Sequence, residues 1–410
     1  MKMIKTLGLA ALLAAAAQAA QANVDTDSVR RGGYLARVSD CIACHTAPQG
    51  KENAGGLAMD TPVGKVYSTN ITPDKETGIG EYSYEEFARA LRQGVAKQGH
   101  SLYPAMPYTS FARINDADMR DLYAYFMHGV EPVKQANRDS DIPWPLSMRW
   151  PLTLWRWVFH DDSPYQADAA KSAEWNRGAY LVQGMAHCGT CHTPRGVAFQ
   201  EVALSEKKPG YLTGSQLAGW FAGNLTADKR EGLGGWSAEE LVEYLQTGRN
   251  RYTAAFGPMA EVVHYSSQHI NAADLSAIAV YIKSLPGAGA ADVAPVRTGA
   301  TLFFENCATC HQANGQGHDR VVPTLAGSSA VMARDATSLI RVVLEGGVNA
   351  RTHHQSWEYS MPGYAQQMSD QEVADVLSYM RQSWGNAASP VAAADVAKVR
   401  KLVSEAQPQR

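Results

Sequence analysis

All six cysteines of the chain fall into three copies of one pattern: Cys41-Ile42-Ala43-Cys44-His45, Cys188-Gly189-Thr190-Cys191-His192 and Cys307-Ala308-Thr309-Cys310-His311. Disulfide frameworks belong to short exported domains with varied spacings, so this regularity argues against one. Cys-x-x-Cys-His is the attachment pattern of c-type haem. Two thiols one helical turn apart reach two edges of one porphyrin, and the adjacent imidazole reaches the iron. A lone Cys-x-x-Cys also suits a dithiol redox pair or half of a zinc site. Three copies, each followed by His and with no cysteine left over, favour three covalently bound haems c instead. Cys41, Cys44, Cys188, Cys191, Cys307 and Cys310 are then the attachment thiols, and His45, His192 and His311 the proximal iron ligands.

The amino terminus sets the compartment. Lys2 and Lys5 precede an apolar run from Leu7 to Ala20 that ends in Ala20-Gln21-Ala22, the layout of a secretory signal peptide over residues 1–22. The run is shorter than the roughly 20 residues of a spanning helix. Cleavage before Asn23 leaves 388 residues carrying 35 Lys plus Arg against 40 Asp plus Glu, a net charge of −5. The expected product is exported, soluble or peripheral at a membrane, and without electrostatic attraction to nucleic acid. At 410 residues, 45% of them hydrophobic and 19% charged, the chain is long enough for two to four packed domains.

Repetition extends beyond the pentads. Arg31-Gly32-Gly33-Tyr34-Leu35 before the first corresponds to Arg177-Gly178-Ala179-Tyr180-Leu181 before the second. Asn70-Ile71-Thr72-Pro73-Asp74-Lys75 matches Asn224-Leu225-Thr226-Ala227-Asp228-Lys229 at an offset of 154, and the match runs on to Ser83 and Ser237. Asn70 and Asn224 also form glycosylation sequons, but their recurrence at equivalent positions favours a structural loop role. Ser83-Tyr84-Glu85-Glu86 and Ser237-Ala238-Glu239-Glu240 resemble capping boxes opening helices at Phe87 to Gln93 and Leu241 to Gln246. Asp116 to Phe126, Asn271 to Lys283 and Ser369 to Gln382 carry apolar residues at helical spacing, and period-two alternation is nearly absent. The expected architecture is mostly α: three tandem class I-like cytochrome c domains, each with one covalent haem c. The boundaries are 23–136 for the first domain, 137–170 for a Trp-rich linker, 171–289 for the second domain, 290–387 for the third and 388–410 for a C-terminal tail or weak peripheral helix.

A closed electron-transfer haem needs a second axial ligand, and thioether sulfur favours the ferrous state. Met106 lies 61 residues after His45, Met259 67 after His192 and Met361 50 after His311, each beside a proline that holds the loop extended. Met106, Met259 and Met361 are the expected distal ligands, with His264 and His269 competing for the second site and Met368 a weaker competitor for the third. Met119, Met127 and Met380 read as core filler. His100, His128, His160, His187, His318, His353 and His354 have no ligand-like spacing. Ile142-Pro143-Trp144-Pro145 through Phe159 concentrates Trp144, Trp150, Trp155 and Trp157 with Arg156. It suits either a membrane or protein interface or a strap over a haem domain.

With the sites placed, four stretches carry a family resemblance: Tyr67-Ser68-Thr69-Asn70-Ile71-Thr72-Pro73-Asp74; Leu102-Tyr103-Pro104-Ala105-Met106-Pro107-Tyr108; Tyr123-Ala124-Tyr125-Phe126-Met127-His128-Gly129-Val130-Glu131-Pro132; and Ala173-Glu174-Trp175-Asn176-Arg177-Gly178. Over nearly the whole mature chain, the sequence resembles the triheme cytochrome c subunit of bacterial membrane-bound dehydrogenases of the quinohaemoprotein alcohol and flavin-dependent gluconate, sorbitol and fructose types. The resemblance implies an electron-transfer subunit, not catalytic alone, at the periplasmic face of the inner membrane. Electrons would pass from an FAD or PQQ catalytic subunit, accompanied by a small third subunit in some members, to ubiquinone or another respiratory acceptor. No G-x-G-x-x-G nucleotide fingerprint occurs in the chain. Two alternatives stay open: a multihaem enzyme such as a peroxidase, and a soluble or oxidase-associated cytochrome c shuttle.

Overall fold

The computed structural model describes residues 25–287, 298–355 and 357–406. The expected signal peptide and the expected boundary between the second and third domains lie outside the described residues. The chain is mostly helical. In the first unit, α1 (Thr26–Val38) starts where the Asp25 carboxylate accepts from the amides of Asp27 and Ser28, supplying acceptors that the first helical turn lacks. A ribbon of β1 (Ala58–Thr61) and β2 (Gly64–Tyr67) follows, then α2 (Tyr84–Gln93) and α3 (Asp116–His128). The linker holds α4 (Trp150–Phe159). The second unit holds α5 (Ala173–Tyr180), β3 (Ser215–Leu217), β4 (Trp220–Ala222), α6 (Ala238–Thr247), α7 (Pro258–Tyr265) and α8 (Ala272–Lys283). The third holds α9 (Ala300–Asn306), α10 (Thr337–Glu345), β5 (Gly347–Val348), β6 (Ser360–Met361), α11 (Asp370–Gln382) and α12 (Ala393–Ala406).

The capping boxes form as their sequences require. Ser83 accepts from the Glu86 amide while the Glu86 carboxylate accepts from the Ser83 amide, and Ser237 with Glu240 does the same. The helices therefore begin at Tyr84 and Ala238, three residues before the apolar stretches suggested. The three antiparallel ribbons have strands of two to four residues, too short to leave an alternating pattern in sequence.

In each of the first two units the first helix crosses the last at a glycine, and in the third α9 crosses α11 at one. A Cβ on Gly32 would lie 1.9 Å from the Asp121 carbonyl oxygen of α3, and one on Gly178 1.9 Å from the Ala277 carbonyl oxygen of α8. Gly299, which caps α9 at φ 91°, would meet the Asp375 carbonyl oxygen of α11 at 2.1 Å. An arginine clamps the first two crossings. Arg31 donates through Nε and Nη2 to Asp121 at 2.7 and 3.0 Å, and Arg177 to Asp274 at 2.7 and 2.8 Å.

The first two units pack on each other through repeat-equivalent residues. Tyr34 donates its hydroxyl to Asp274 of the second unit at 2.6 Å, and Tyr180 donates to Asp118 of the first at 2.6 Å. Asp118 and Asp274 occupy the same position, three residues after the N-caps Asn115 and Asn271. The two units thus meet as two copies of one surface do in a symmetric dimer. One continuous core runs from Leu35 to Leu285 through both, and a second core occupies the third unit.

The C-terminal stretch, expected as a tail or weak peripheral helix, forms a helix that is part of the third core. α12 packs on α10 and α11 and buries Val396, Val399 and Val403 in the third core. Its valines recur at helical spacing on one face, and that face has a partner. Among the described residues no helix is long and apolar enough to cross a membrane.

Gly32→Ala and Gly178→Ala must each force two helices apart and are expected to cost about 2–3 kcal/mol. Chemical denaturation would measure this against Gly235→Ala, where a Cβ meets nothing within 4 Å.

Candidate functional site

The first and third pentads follow closely on the first helix of their units, while the π-helical turn Leu181–Met185 separates α5 from the second. A left-handed residue redirects the chain before the first two, Asp40 at φ 52° and His187 at φ 38°, and the pentads then coil into single turns at Cys41–Cys44, Gly189–His192 and Ala308–His311. That turn brings the two thiols to one side, as a two-point attachment needs.

The three histidines are held alike. His45 Nδ1 lies 2.6 Å from the Thr69 carbonyl oxygen, His192 Nδ1 2.7 Å from that of Gly223, and His311 Nδ1 3.0 Å from that of Pro323. A carbonyl can only accept, so Nδ1 carries the proton and Nε2 keeps its lone pair for a metal. The same contact orients the ring and raises its basicity toward an iron. Burial lowers the pKa of all three imidazoles, keeping them neutral. Burial also pushes the thiols of Cys41, Cys44 and Cys188 up to about 12 and that of Cys307 to about 11. No cysteine pairs with another, and among the described residues no three His, Cys, Asp or Glu side chains converge on a bare ion.

The third site opens on a mainly apolar cavity of about 340 Å³, lined by Cys307, Cys310, His311, Leu325, Val343 and Met361 among others. Two thiols, a ring nitrogen with a free lone pair, a thioether and aliphatic walls around one crevice are the donor set and the surface that a covalent porphyrin requires. The residues present fit a haem.

The methionines sit in three local settings. Met106 lies in the turn before the helical segment Tyr108–Phe111, packed on the first core. Met259 stands in the first turn of α7 behind Pro258 rather than in an extended loop, because proline at a helix start is already preorganised for helix. Met361 lies on β6 opposite Gly347 and lines the cavity with His311. His264 places Nδ1 3.1 Å from the Arg351 carbonyl oxygen and His269 stacks edge-on to His353 at 5.2 Å, so both engage the third unit. Met368 and Met380 are buried in the third core and also line the cavity, and Met119 is fully buried in the first. Asn70 is buried and donates to the carbonyls of Val133 and Gln135, while its Oδ1 accepts from Thr72; Asn224 likewise accepts from the Thr226 amide. Both hold the loops whose preceding residues, Thr69 and Gly223, present the carbonyls to His45 and His192.

The first two sites lie side by side. The Cys191 thiol is among the groups that raise the pKa of Cys44, and the Asp40 carboxyl acts on Cys41, Cys44 and Cys191 together. Burial, reinforced by Glu261, pushes Asp40 itself up to about 8. His187 Nε2 lies 3.2 Å from the Ser39 carbonyl oxygen across the junction. The third crevice is bordered in turn by Arg249, Asn250, Thr253, Ala254 and Phe256 of the second unit. Sequence reading missed Asp40, His187 and Arg249 as site residues. The one available signal was positional: Asp40 and His187 both immediately precede the first cysteine of a pentad.

α4 straps the Met106 loop. Arg149 donates to the Ser101 carbonyl and sits 3.8 Å from the Tyr103 ring, Arg156 donates to Ser101 Oγ, and Trp155 donates to the Ala198 carbonyl of the second unit. Trp144, ahead of the helix, is 80% exposed, and Trp150 and Trp157 on it are 66% and 83% exposed.

The sequence profile of the family described as Cytochrome c matches residues 29–129 and 296–384, and such proteins bind haem c covalently. The chain is 48% identical over 98% of its length, and 95% of the relative's, to the gluconate 2-dehydrogenase cytochrome c subunit of Pantoea cypripedii. It is 45% identical over 97% of its length, and 87% of the relative's, to the cytochrome c subunit of the alcohol dehydrogenase (quinone) of Gluconobacter oxydans (strain 621H). It is 36% identical over 92% of its length, and 84% of the relative's, to the fructose dehydrogenase cytochrome subunit of Gluconobacter japonicus. Similarity spanning both chains nearly end to end, on a fold built around three Cys-x-x-Cys-His turns, means that this chain belongs to the family of dehydrogenase cytochrome c subunits, the electron-transfer components of these oxidoreductases.

Proposed function

We propose that the chain carries three covalent haems c and relays electrons from a separate FAD or PQQ dehydrogenase subunit, oxidising gluconate, an alcohol or a polyol, to ubiquinone or another respiratory acceptor at the periplasmic face of the inner membrane. The observation that carries this reading is the contiguity of the sites: the residues just before the first two pentads meet, with His187 Nε2 3.2 Å from the Ser39 carbonyl oxygen, and the second unit borders the third crevice. Contiguity shortens each electron hop, as a relay requires.

A haem bound at each pentad supplies a reversible one-electron iron couple. The protein's share is positional. Cys41, Cys44, Cys188, Cys191, Cys307 and Cys310 hold the porphyrins as thioethers. His45, His192 and His311 would hold the iron through Nε2, with Nδ1 fixed on a carbonyl, and Met106, Met259 and Met361 would supply the second, distal ligand. The aliphatic walls of the third crevice would exclude water and keep a haem's ligand set closed there. The Trp-rich face of α4 supports peripheral attachment, since indoles favour the membrane–water interface.

Met106→His, Met259→His and Met361→His are each expected to remove about one third of the ferric sulfur-to-iron absorption and to lower one midpoint by at least about 59 mV, a tenfold change in a one-electron equilibrium. A variant with an unaltered spectrum removes that methionine from the ligand set. Replacing Trp144, Trp150 and Trp157 together by Ser is expected to weaken co-sedimentation with phosphatidylethanolamine–phosphatidylglycerol vesicles about tenfold; unchanged binding puts the attachment elsewhere. In anaerobic membranes enriched in the protein, one of gluconate, ethanol, sorbitol or fructose is expected to reduce the c-type haems. The reduced protein should bind no carbon monoxide, and stoichiometric binding would favour an enzyme with an open iron.

A further inference from the structure

Arg249 is the residue that the fold of its own unit does not account for. α2 and α6 end on equivalent left-handed glycines, Gly94 at φ 60° and Gly248 at φ 74°, at the same offset of 154 that relates the loops before them. The next residue is Val95 in the first unit and Arg249 in the second; after Gly346, which ends α10, it is Gly347. The unit closes without a cation at this position.

Arg249 is nevertheless only 3% exposed. Its Nη1 donates to the Arg320 carbonyl at 3.1 Å, and its guanidinium lies 5.3 Å from the Tyr359 ring. Nε and Nη2 are buried with no hydrogen-bond partner, and among the described residues no carboxylate pairs with it. Burial accordingly lowers its pKa. An unpaired buried guanidinium costs several kcal/mol, so its retention calls for an anion. Arg249 lines the cavity that contains His311 and Met361. The other arginine of that lining, Arg320, is already engaged by Glu243 and Asp319. A haem carries two propionate carboxylates, and a planar guanidinium with two free donors matches a carboxylate at two points.

We propose that Arg249, carried by the second unit, is the counter-ion of a propionate on the haem of the third. The proposal rests on the three-haem reading. It assigns Arg249 two effects: it holds the second unit against the third cofactor, and its charge stabilises the ferrous state and raises that haem's potential.

The test is a spectroelectrochemical titration of the fully matured chain, with Met361→His marking the third haem by its lost sulfur-to-iron band. Arg249→Gln is expected to lower the third midpoint by about 59 mV, a tenfold loss in the reduction equilibrium of a one-electron couple. Arg249→Lys, which keeps the charge but not the fork, moves it less. In the Lys variant the propionate bending band of the resonance Raman spectrum also shifts, a readout independent of whether the Gln variant matures. Three haems with unchanged midpoints, a shift falling on the haem at His192, or an unmoved propionate band each overturns the assignment. The underlying reading fails separately: in the wild-type background, a Cys307→Ala/Cys310→Ala variant that loses no haem removes the third cofactor itself.

Discussion

The close backbone crossing of two helices within each unit is the contact on which the rest of the chain depends. At Gly32 and Gly178 the absent side chain lets a helix rest on a carbonyl oxygen of its partner, at a separation no Cβ would permit. In the first and third units the pentad follows closely on the C-terminal end of the first of those helices, and in the second the π-helical turn Leu181–Met185 intervenes. The crossing therefore sets where the thiols and the imidazole stand relative to the walls supplied by the other helix. Gly299 does the same for α9 and α11 with a different local geometry, since it caps its helix and takes a positive φ.

From that frame the site chemistry follows by short steps. A loop that returns after each pentad presents one carbonyl, from Thr69, Gly223 or Pro323, to the imidazole Nδ1. In the first two units a buried asparagine holds the loop, and the two loops repeat almost residue for residue. The third unit reaches the same end through Pro323 on an unrelated stretch. Function is thus imposed on the backbone carbonyl, which any residue can supply, and the sequence around it is free to diverge.

Duplication has left more than two similar folds. Tyr34 and Tyr180 each reach across to the equivalent aspartate of the other unit, so the junction repeats its contacts in both directions and gathers the first two pentads beside Asp40 and His187. The third unit breaks the symmetry. It is held by different contacts, among them Arg334 with Glu231 and the Phe221 backbone with Ser338, and α12 closes its core. The Trp-rich helix is strapped on one side over the Met106 loop and leaves Trp150 and Trp157 exposed.

The sequence alone determined the features that are local and covalent in origin. The pentads, the capping boxes at Ser83 and Ser237, and the helical spacing of Asp116 to Phe126 and Ser369 to Gln382 each express a constraint within one or two turns. A one-dimensional pattern records such constraints fully. Tertiary structure decided what depends on distant partners. The valines of Ala393–Ala406 look the same in sequence whether exposed or covered, and only packing on α10 and α11 buried them. Met259 has a proline neighbour like the other two methionines, yet its proline starts a helix. The two-to-four-residue ribbons are too short to alternate visibly. The burial of Arg249 without a carboxylate could not be read at all, because an unmatched charge is defined by what surrounds it, and its surroundings here come from a different unit of the chain.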